Sequence, residues 1–291
     1  MKTKTNSKFH CNTLQISKLC MVLILVLSVS CEKKEQDNNI IVPPDEVGDC
    51  VAGAQLTMQE SFETGDYTSN IKEIKTSGNP AEVIKTTDAR EGEYILKSQI
   101  SPERDNLYRT ELSLKDAMYF KPEEEYWVGI STKLDTDFVL PSPFNDQGMI
   151  MQWHYDNWRR PEVPDAQPFV LRYDNGKINI QCEMIDGYLA DVPATIGQWI
   201  DWVIHIKFDD KDGIIQIWWN GTQVLDWTGD NHQVEMIEGA YMKFGLYAAQ
   251  FNPDKDFVIS MPQGATRTVY HDNLRIAGAD GCYDLVAPVR N

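Results

Sequence analysis

The sequence predicts an all-β fold in which two antiparallel sheets pack face to face within a single domain. Many segments alternate apolar and polar residues, or are rich in β-branched and aromatic residues, as strands are. Two Asn-Gly pairs, at 175–176 and 220–221, lie between such segments and favour the tight turns of β-hairpins. No segment holds an apolar stripe of helical period over a dozen residues, so the strands must pack against each other. The predicted strands are 93–100, 108–114, 126–134, 148–155, 168–173, 177–184, 199–208, 213–219, 223–227, 241–249 and 266–277.

The composition narrows the classes of function. Of 291 residues, 27 are Lys or Arg and 44 are Asp or Glu, so the net charge is −17. No basic stripe is present to neutralise phosphates, which argues against a nucleic-acid partner. The 42% of hydrophobic residues is typical of a globular chain, and the length suits one large core with a tail.

The N-terminus indicates export. Four lysines precede the apolar run 19–29, which is too short to cross a bilayer and is typical of a signal peptide over residues 1–30. The run ends before Cys31 in a pattern that resembles a bacterial lipoprotein signal, in which Cys31 would carry the lipid. The alternative is a plain secretory signal cut nearby. We therefore expect a flexible tether over 31–49, a domain over 50–291, and an outer-membrane lipoprotein that touches the membrane only through its anchor.

Export also bears on the cysteines of the mature chain. Cys50 opens the predicted domain and Cys282 closes it, and an oxidising compartment permits a disulfide between them. Two free or partly buried thiols are the alternative. Cys182 alternates within a predicted strand, so we interpret it as a small apolar core residue.

One predicted strand places two polar side chains together. In the segment 148–155 the alternation assigns Met149, Met151, Trp153 and Tyr155 to the core. Gln152 and His154 then share the opposite face, about 7 Å apart at two strand steps.

Two further strands have polar outer faces of the same kind. In the segment 241–249, Lys243 and Tyr247 share the outer face, and Gly245 between them would leave room for a ligand. In the segment 108–114, Arg109 and Glu111 point outward. One polar face is ordinary in a sandwich. Three together favour a single site on one sheet.

These residue types suit β-elimination of a uronic-acid polysaccharide. Removal of the proton beside the carboxylate builds further negative charge, which Gln152 and Arg109 would stabilise. His154 is a base that titrates near neutral pH, and the hydroxyl of Tyr247 would protonate the departing oxygen. Lys243 would hold a substrate anion. This chemistry needs no cofactor, and the expected partner is an anionic polysaccharide bound by a monomer.

The order of several motifs resembles the heparin lyase I-like polysaccharide lyases, including the glucuronan lyases. The motifs are Tyr-Arg-Thr-Glu at 108–111, Gln-Trp-His at 152–154, Trp-Trp-Asn-Gly at 218–221, Lys-Phe-Gly-Leu-Tyr at 243–247 and Tyr-His-Asp-Asn at 270–273. The resemblance implies a concanavalin-like β-jelly roll. It also implies a catalytic His two residues after a Gln, and a catalytic Tyr four residues after a Lys. The chain lacks the basic insertion of heparin lyases, so we expect an uronan with little or no sulfate.

The resemblance also implies a structural calcium between the first and last strands. Glu60, Glu63 and Asp272 would supply its oxygen ligands. Surface carboxylates that cap strands are the alternative interpretation.

The long segment after the Gln-Trp-His strand would form part of the substrate groove. It holds Trp158, Arg159 and Arg160, which would stack on a sugar and bind anions. An ordinary polar loop is the alternative.

Two other functions stay open from the sequence. A jelly-roll glycoside hydrolase would need two carboxylates that flank the bond, and no strand carries such a pair. A non-catalytic lectin-like module would use the same polar groups only as hydrogen-bonding partners.

Overall fold

Strands dominate the computed structural model, which describes residues 49–73, 80–102, 108–140, 147–156, 167–185, 187–233, 235–253 and 260–289. Over these residues it contains fifteen strands, one short α-helix and a 3₁₀ turn at Ala249–Phe251. The strands are β1 (Leu56–Glu60), β2 (Lys72–Glu73), β3 (Glu82–Lys85), β4 (Tyr94–Ile100), β5 (Arg109–Ser113), β6 (Glu125–Leu134), β7 (Gln147–Tyr155), β8 (Phe169–Asp174), β9 (Lys177–Gln181), β10 (Tyr188–Pro193), β11 (Trp199–Lys207), β12 (Gly213–Trp219), β13 (Thr222–Gly229), β14 (Ala240–Tyr247) and β15 (Arg267–Ala277). The helix is α1 (Tyr283–Val286).

The strands form two antiparallel sheets, which confirms the predicted fold class. The first sheet has the order β13-β12-β11-β6-β15-β4-β3, and β1 also pairs with β15. The second sheet has the order β10-β9-β8-β7-β14-β5-β2. Neighbours in sequence are often not neighbours in the sheet, so most pairings join distant parts of the chain.

One apolar core contains side chains from both sheets. Ile204 and Leu274 of the first sheet belong to the same buried cluster as Trp153 and Phe244 of the second. Full burial of such a side chain contributes roughly 1.5–3 kcal/mol to folding. Because alternate residues of β7 and β14 are held in this core, the residues between them are directed to the opposite face of the second sheet.

Both predicted hairpin turns are present. Asn175 and Gly176 have φ angles of 48° and 87°, and Asn220 and Gly221 have φ angles of 51° and 83°. Two successive positive φ angles define the turn that suits the twist of a hairpin.

The predicted alternation fails at the start of β7. The pairing of β7 with β8 shifts between Met149 and Met151, as it does at a β-bulge. Ile150 therefore enters the core, whereas Met149 packs with Val170 and Tyr247 on the other face. The prediction of Met149 as a core residue was wrong.

Gly245 of β14 has a role different from the one its position suggested. Its φ angle is 136°, and a Cβ atom there would lie 2.3 Å from the oxygen of Thr110 and 2.7 Å from Cα of Glu111. The missing side chain thus makes room for the backbone of β5, and not for a ligand.

The ends of the domain are joined by a disulfide. Cys50 and Cys282 are bonded, with 4.8 Å between their Cα atoms and a separation of 232 positions in sequence. The pairing of β1 with β15 brings the two ends together.

The N-terminal predictions lie almost entirely outside the described residues. The chain divides into the units Met1–Asp37 and Asn38–Asn291, and all described residues belong to the second unit. Cys31 and the predicted signal peptide fall in the first. Among the helices of the described ranges, none is long and apolar enough to cross a membrane.

Replacement of both Cys50 and Cys282 by Ser should lower the free energy of unfolding by about 2–5 kcal/mol, because the bond closes a very long loop of the unfolded chain. Urea unfolding of the two proteins measures this difference. Wild-type protein in reductant is the control and should lose the same amount. An unchanged urea midpoint in the variant would contradict the prediction.

Gly245→Ala should cost at least about 1–3 kcal/mol of stability, because it combines a strained φ angle with a collision against β5. Gly264→Ala is the matched control, since Gly264 also has a positive φ of 75° but nothing within 4 Å of its Cβ position. Denaturant midpoints compare the two variants. Equal losses would show that the close approach of β5 has no energetic consequence.

Candidate active site

Seven side chains from three neighbouring strands form a polar strip on the outer face of the second sheet. Strand β14 lies between β5 and β7. The pairing of β14 with β7 places Tyr241 beside His154 and Lys243 beside Gln152. On the other side, Gly245 pairs with Glu111 and Tyr247 with Arg109. The polar strip therefore consists of Arg109, Glu111, Gln152, His154, Tyr241, Lys243 and Tyr247.

Glu111 of β5 reaches across β14 and links β5 to β7. Its carboxylate accepts a hydrogen bond of 2.5 Å from Nε2 of Gln152 and lies 3.1 Å from Nε of Arg109. The Glu111 side chain is 1% exposed, and a buried carboxylate requires such charged and polar partners. Glu111 is therefore a positioning residue for Arg109 and Gln152.

Tyr247 lies at one end of the polar strip. The guanidinium carbon of Arg109 is 4.1 Å from the centre of its ring, and Asn252 Nδ2 donates a hydrogen bond of 3.4 Å to its hydroxyl. Tyr247 also packs with Met149 and Val170. The Arg109 side chain keeps 22% exposure, so its positive charge is available to a ligand beside the phenol.

His154 lies at the other end and has a defined tautomer. Its Nδ1 is 2.6 Å from the carbonyl oxygen of Tyr155. Because a carbonyl oxygen only accepts hydrogen bonds, Nδ1 carries the hydrogen. In the neutral ring the basic lone pair is then on Nε2, and this is the form that a general base requires.

Tyr241 was missed by the sequence analysis. Its ring centre is 5.9 Å from that of His154, and the ammonium groups of Lys243 and Lys115 lie 5.3 and 5.7 Å from it. Burial, with Asp156 adding a smaller effect, raises the pKa of its hydroxyl, which therefore stays protonated. The alternation that assigned residues 243 and 247 to the outer face also includes residue 241, and that signal was present in the sequence.

Asp156 holds the ammonium group of Lys115 at the end of the strip where His154 lies. Its carboxylate lies 2.8 Å from Nζ of Lys115 and accepts a hydrogen bond of 3.1 Å from the hydroxyl of Tyr119. Asp156 is buried, so its charge is balanced by Lys115 and not by solvent. This pair fixes a cation close to Tyr241.

The two predicted proton-transfer residues lie at opposite ends of the strip. Tyr241, the partner of His154, is six residues from Tyr247 on the same strand. Six steps of a strand separate the Cα atoms of Tyr241 and Tyr247 by about 20 Å. The residues paired with them on β7, His154 and Met149, are five steps apart, which is about 17 Å. Gln152 and Lys243 lie between them. Arg109, Glu111, Gln152 and Tyr247 are brought into one set of contacts, and His154 faces them from the far side of that set.

The calcium prediction receives no support. The carboxylates of Glu60, Glu63 and Asp272 each accept hydrogen bonds from backbone N–H groups. Burial raises the pKa of Asp272 to about 7. Within the described part of the chain, no cluster of three or more His, Cys, Asp or Glu side chains is suited to a metal. These carboxylates stabilise loops and strand ends.

The other predicted residues take no part in the strip. Trp158, Arg159 and Arg160 lie outside the described residues. Cys182 is buried in the core, and burial raises the pKa of its thiol to about 12, so it stays a neutral apolar side chain.

Comparison with solved structures shows the fold. The chain is similar to an endo-β-1,4-glucuronan lyase from the fungus Trichoderma reesei, with 16% identity, a TM-score of 0.59, and coverage of 81% of this chain and 100% of that chain. It is also similar to the alginate lyase AlgAT5 of polysaccharide lyase family 7, with 17% identity, a TM-score of 0.47, and coverage of 68% and 82%. The first similarity confirms the jelly-roll sandwich.

Comparison at the level of sequence gives the family. No curated protein matches the chain. A family model described as "Polysaccharide lyase" matches residues 62–275, which is well over half of the sequence. The chain belongs to this polysaccharide lyase family and is an enzyme of the lyase class.

Proposed function

We propose that the protein cleaves a uronic-acid polysaccharide by β-elimination on the polar strip of the second sheet. The observation that carries the proposal is the strip itself. It holds an imidazole whose Nδ1–H is directed to the carbonyl oxygen of Tyr155 at one end and a phenol beside a guanidinium at the other, with Lys243 and Gln152 between them. The substrate would cross the strands between the two ends, and the side chains of His154 and Tyr247 would have to lean toward each other over Gln152 and Lys243 to reach the same sugar.

The reaction follows from these positions. Nε2 of His154 removes the proton from C5, next to the carboxylate of the sugar. The electron pair of that bond forms the C4–C5 double bond, and the bond from C4 to the glycosidic oxygen breaks. The hydroxyl of Tyr247 gives its proton to the departing oxygen. A substrate with the opposite configuration at C5 would exchange the two roles.

Positive charge near the sugar carboxylate lowers the free-energy barrier to removal of the C5 proton, because a second negative charge develops on that carboxylate in the transition state. Arg109 is the best-placed donor, since it is partly exposed and lies over the Tyr247 ring. Lys243 adds a second cation between the two ends. Gln152 gives one N–H to Glu111, and its amide keeps a second donor for the substrate.

The substrate class is proposed from charge. The protein carries a net charge of −17, which disfavours a densely sulfated chain. The cations of the strip are few and suit carboxylates, which points to an uronan with little or no sulfate. The fold match to a glucuronan lyase agrees with this choice. We also propose that the protein is an exported lipoprotein anchored through Cys31, and that it acts as a monomer.

His154→Ala and Tyr247→Phe should each lower the turnover of a uronan by roughly 10²–10⁴-fold, because each removes a proton-transfer group. Gln152→Ala should reduce kcat more than it changes KM. The ultraviolet absorbance of the new C4–C5 double bond measures the rate on glucuronan, alginate, heparan-type and hyaluronan-type chains. Tyr188→Phe is the matched control, since Tyr188 is 54% exposed on β10.

Three outcomes would contradict the proposal. Wild-type rates in either of the first two variants would remove the assigned roles. New reducing ends without absorbance would indicate hydrolysis, and retention of a uronan without cleavage would indicate binding alone.

A further inference from the structure

A second arginine lies on the face of the polar strip. Arg172 is a residue of β8 whose chain neighbours Leu171 and Tyr173 are buried in the core. Its partners across the strands are Met149 on β7 and Asn179 on β9. Because directly paired residues share a face, Arg172 points to the same side as Met149, which packs against Tyr247.

Arg172 and Arg109 lie on opposite sides of Tyr247. The row runs from Arg172 on β8 through Met149 on β7 and Tyr247 on β14 to Arg109 on β5. Three strand spacings separate the two arginines, which is about 14 Å. A polysaccharide that crosses the strands would therefore meet one guanidinium on each side of the phenol.

The two arginines differ in their surroundings. Arg109 is paired with Glu111. Within the residues that the structure describes, no carboxylate forms an ion pair with Arg172. The nearest acid along its strand is Asp174, whose carboxylate accepts a hydrogen bond of 2.6 Å from the side chain of Asn175. Arg172 is half-buried, so a ligand carboxylate would compensate a charge that solvent only partly reaches.

We propose that Arg172 binds the carboxylate of a uronate on the side of Tyr247 opposite to Arg109. The inference rests on the proposed function, because it uses the direction in which the substrate crosses the sheet. The planar guanidinium offers two parallel N–H donors to a carboxylate, and an ammonium group does not. Arg172 would therefore select chains that carry an acidic sugar on both sides of the cleaved bond.

Arg172→Gln tests this role with two readouts, the KM for elimination and the Kd for direct binding of the same uronan by calorimetry. Loss of a hydrogen-bonded charge should raise the KM and the Kd by about 10- to 100-fold, which corresponds to about 1.4–2.8 kcal/mol. The value of kcat should stay close to that of the wild type, because Arg172 does not touch the reacting atoms. Arg172→Lys should recover only part of the affinity.

Lys85→Gln is the control for the loss of one positive charge. Lys85 lies on β3 in the other sheet and forms an exposed ion pair with Glu93. The KM and Kd of the Lys85→Gln variant should match those of the wild type.

A carboxyl-reduced form of the polymer adds a control on the ligand. It lacks the anion, so the wild type and Arg172→Gln should bind it equally. Unequal binding would assign Arg172 a role other than carboxylate recognition.

Each outcome decides between the proposals. If Arg172→Gln keeps the KM and Kd of the control, the role of Arg172 is overturned while elimination stands. If the wild type binds a uronan without forming the double bond, the proposed function fails, and the change in Kd still tests Arg172. If kcat falls and Kd stays constant, Arg172 is not a binding residue. If the wild type binds no uronan, both proposals fail.

Discussion

The contact of Glu111 with Gln152 and Arg109 is the interaction on which the arrangement of the site depends. It joins β5 to β7 by side-chain contacts that pass over β14, at the point where the polar side chains of the three strands meet. Glu111 lies close enough to β14 for this because Gly245 lets the backbone of β5 approach, where a Cβ would be 2.7 Å from Cα of Glu111. A buried carboxylate is stable only while both partners remain, so each of the three residues holds the other two in place.

The sheet gives the polar strip the rigidity that the proposed proton transfers require. The residues of β7 and β14 that alternate with the polar strip are held in the core between the sheets, which restricts the rotamers of the strip itself. Catalytic groups on such strands are positioned more accurately than groups on loops. The polar strip therefore combines a rigid backbone with side chains that have defined partners, such as the carbonyl that orients His154.

Period-two alternation predicted the fold class and the outer faces of β5 and β14, and the two Asn-Gly pairs predicted the hairpin turns. It failed at Met149, because a bulge adds a residue that no local pattern reveals. It did not predict β1, β2, β3 and β10, which are short or largely exposed and lack a run of buried residues. Tyr241 and Arg172 were open to the same argument, but only the pairing of strands shows that they lie beside His154 and Tyr247. Contacts such as that between Glu111 and Gln152 join residues far apart in sequence, so alternation within one strand does not contain them.

The most direct test of the account is a crystal structure of His154→Ala soaked with a short uronan. We expect a sugar chain that crosses β7, β14 and β5, with the Tyr247 hydroxyl turned over one ring toward position 154 and the carboxylate of that ring on Arg109. A chain bound to the other sheet, or one that runs parallel to the strands and leaves Tyr247 without a sugar, would contradict it.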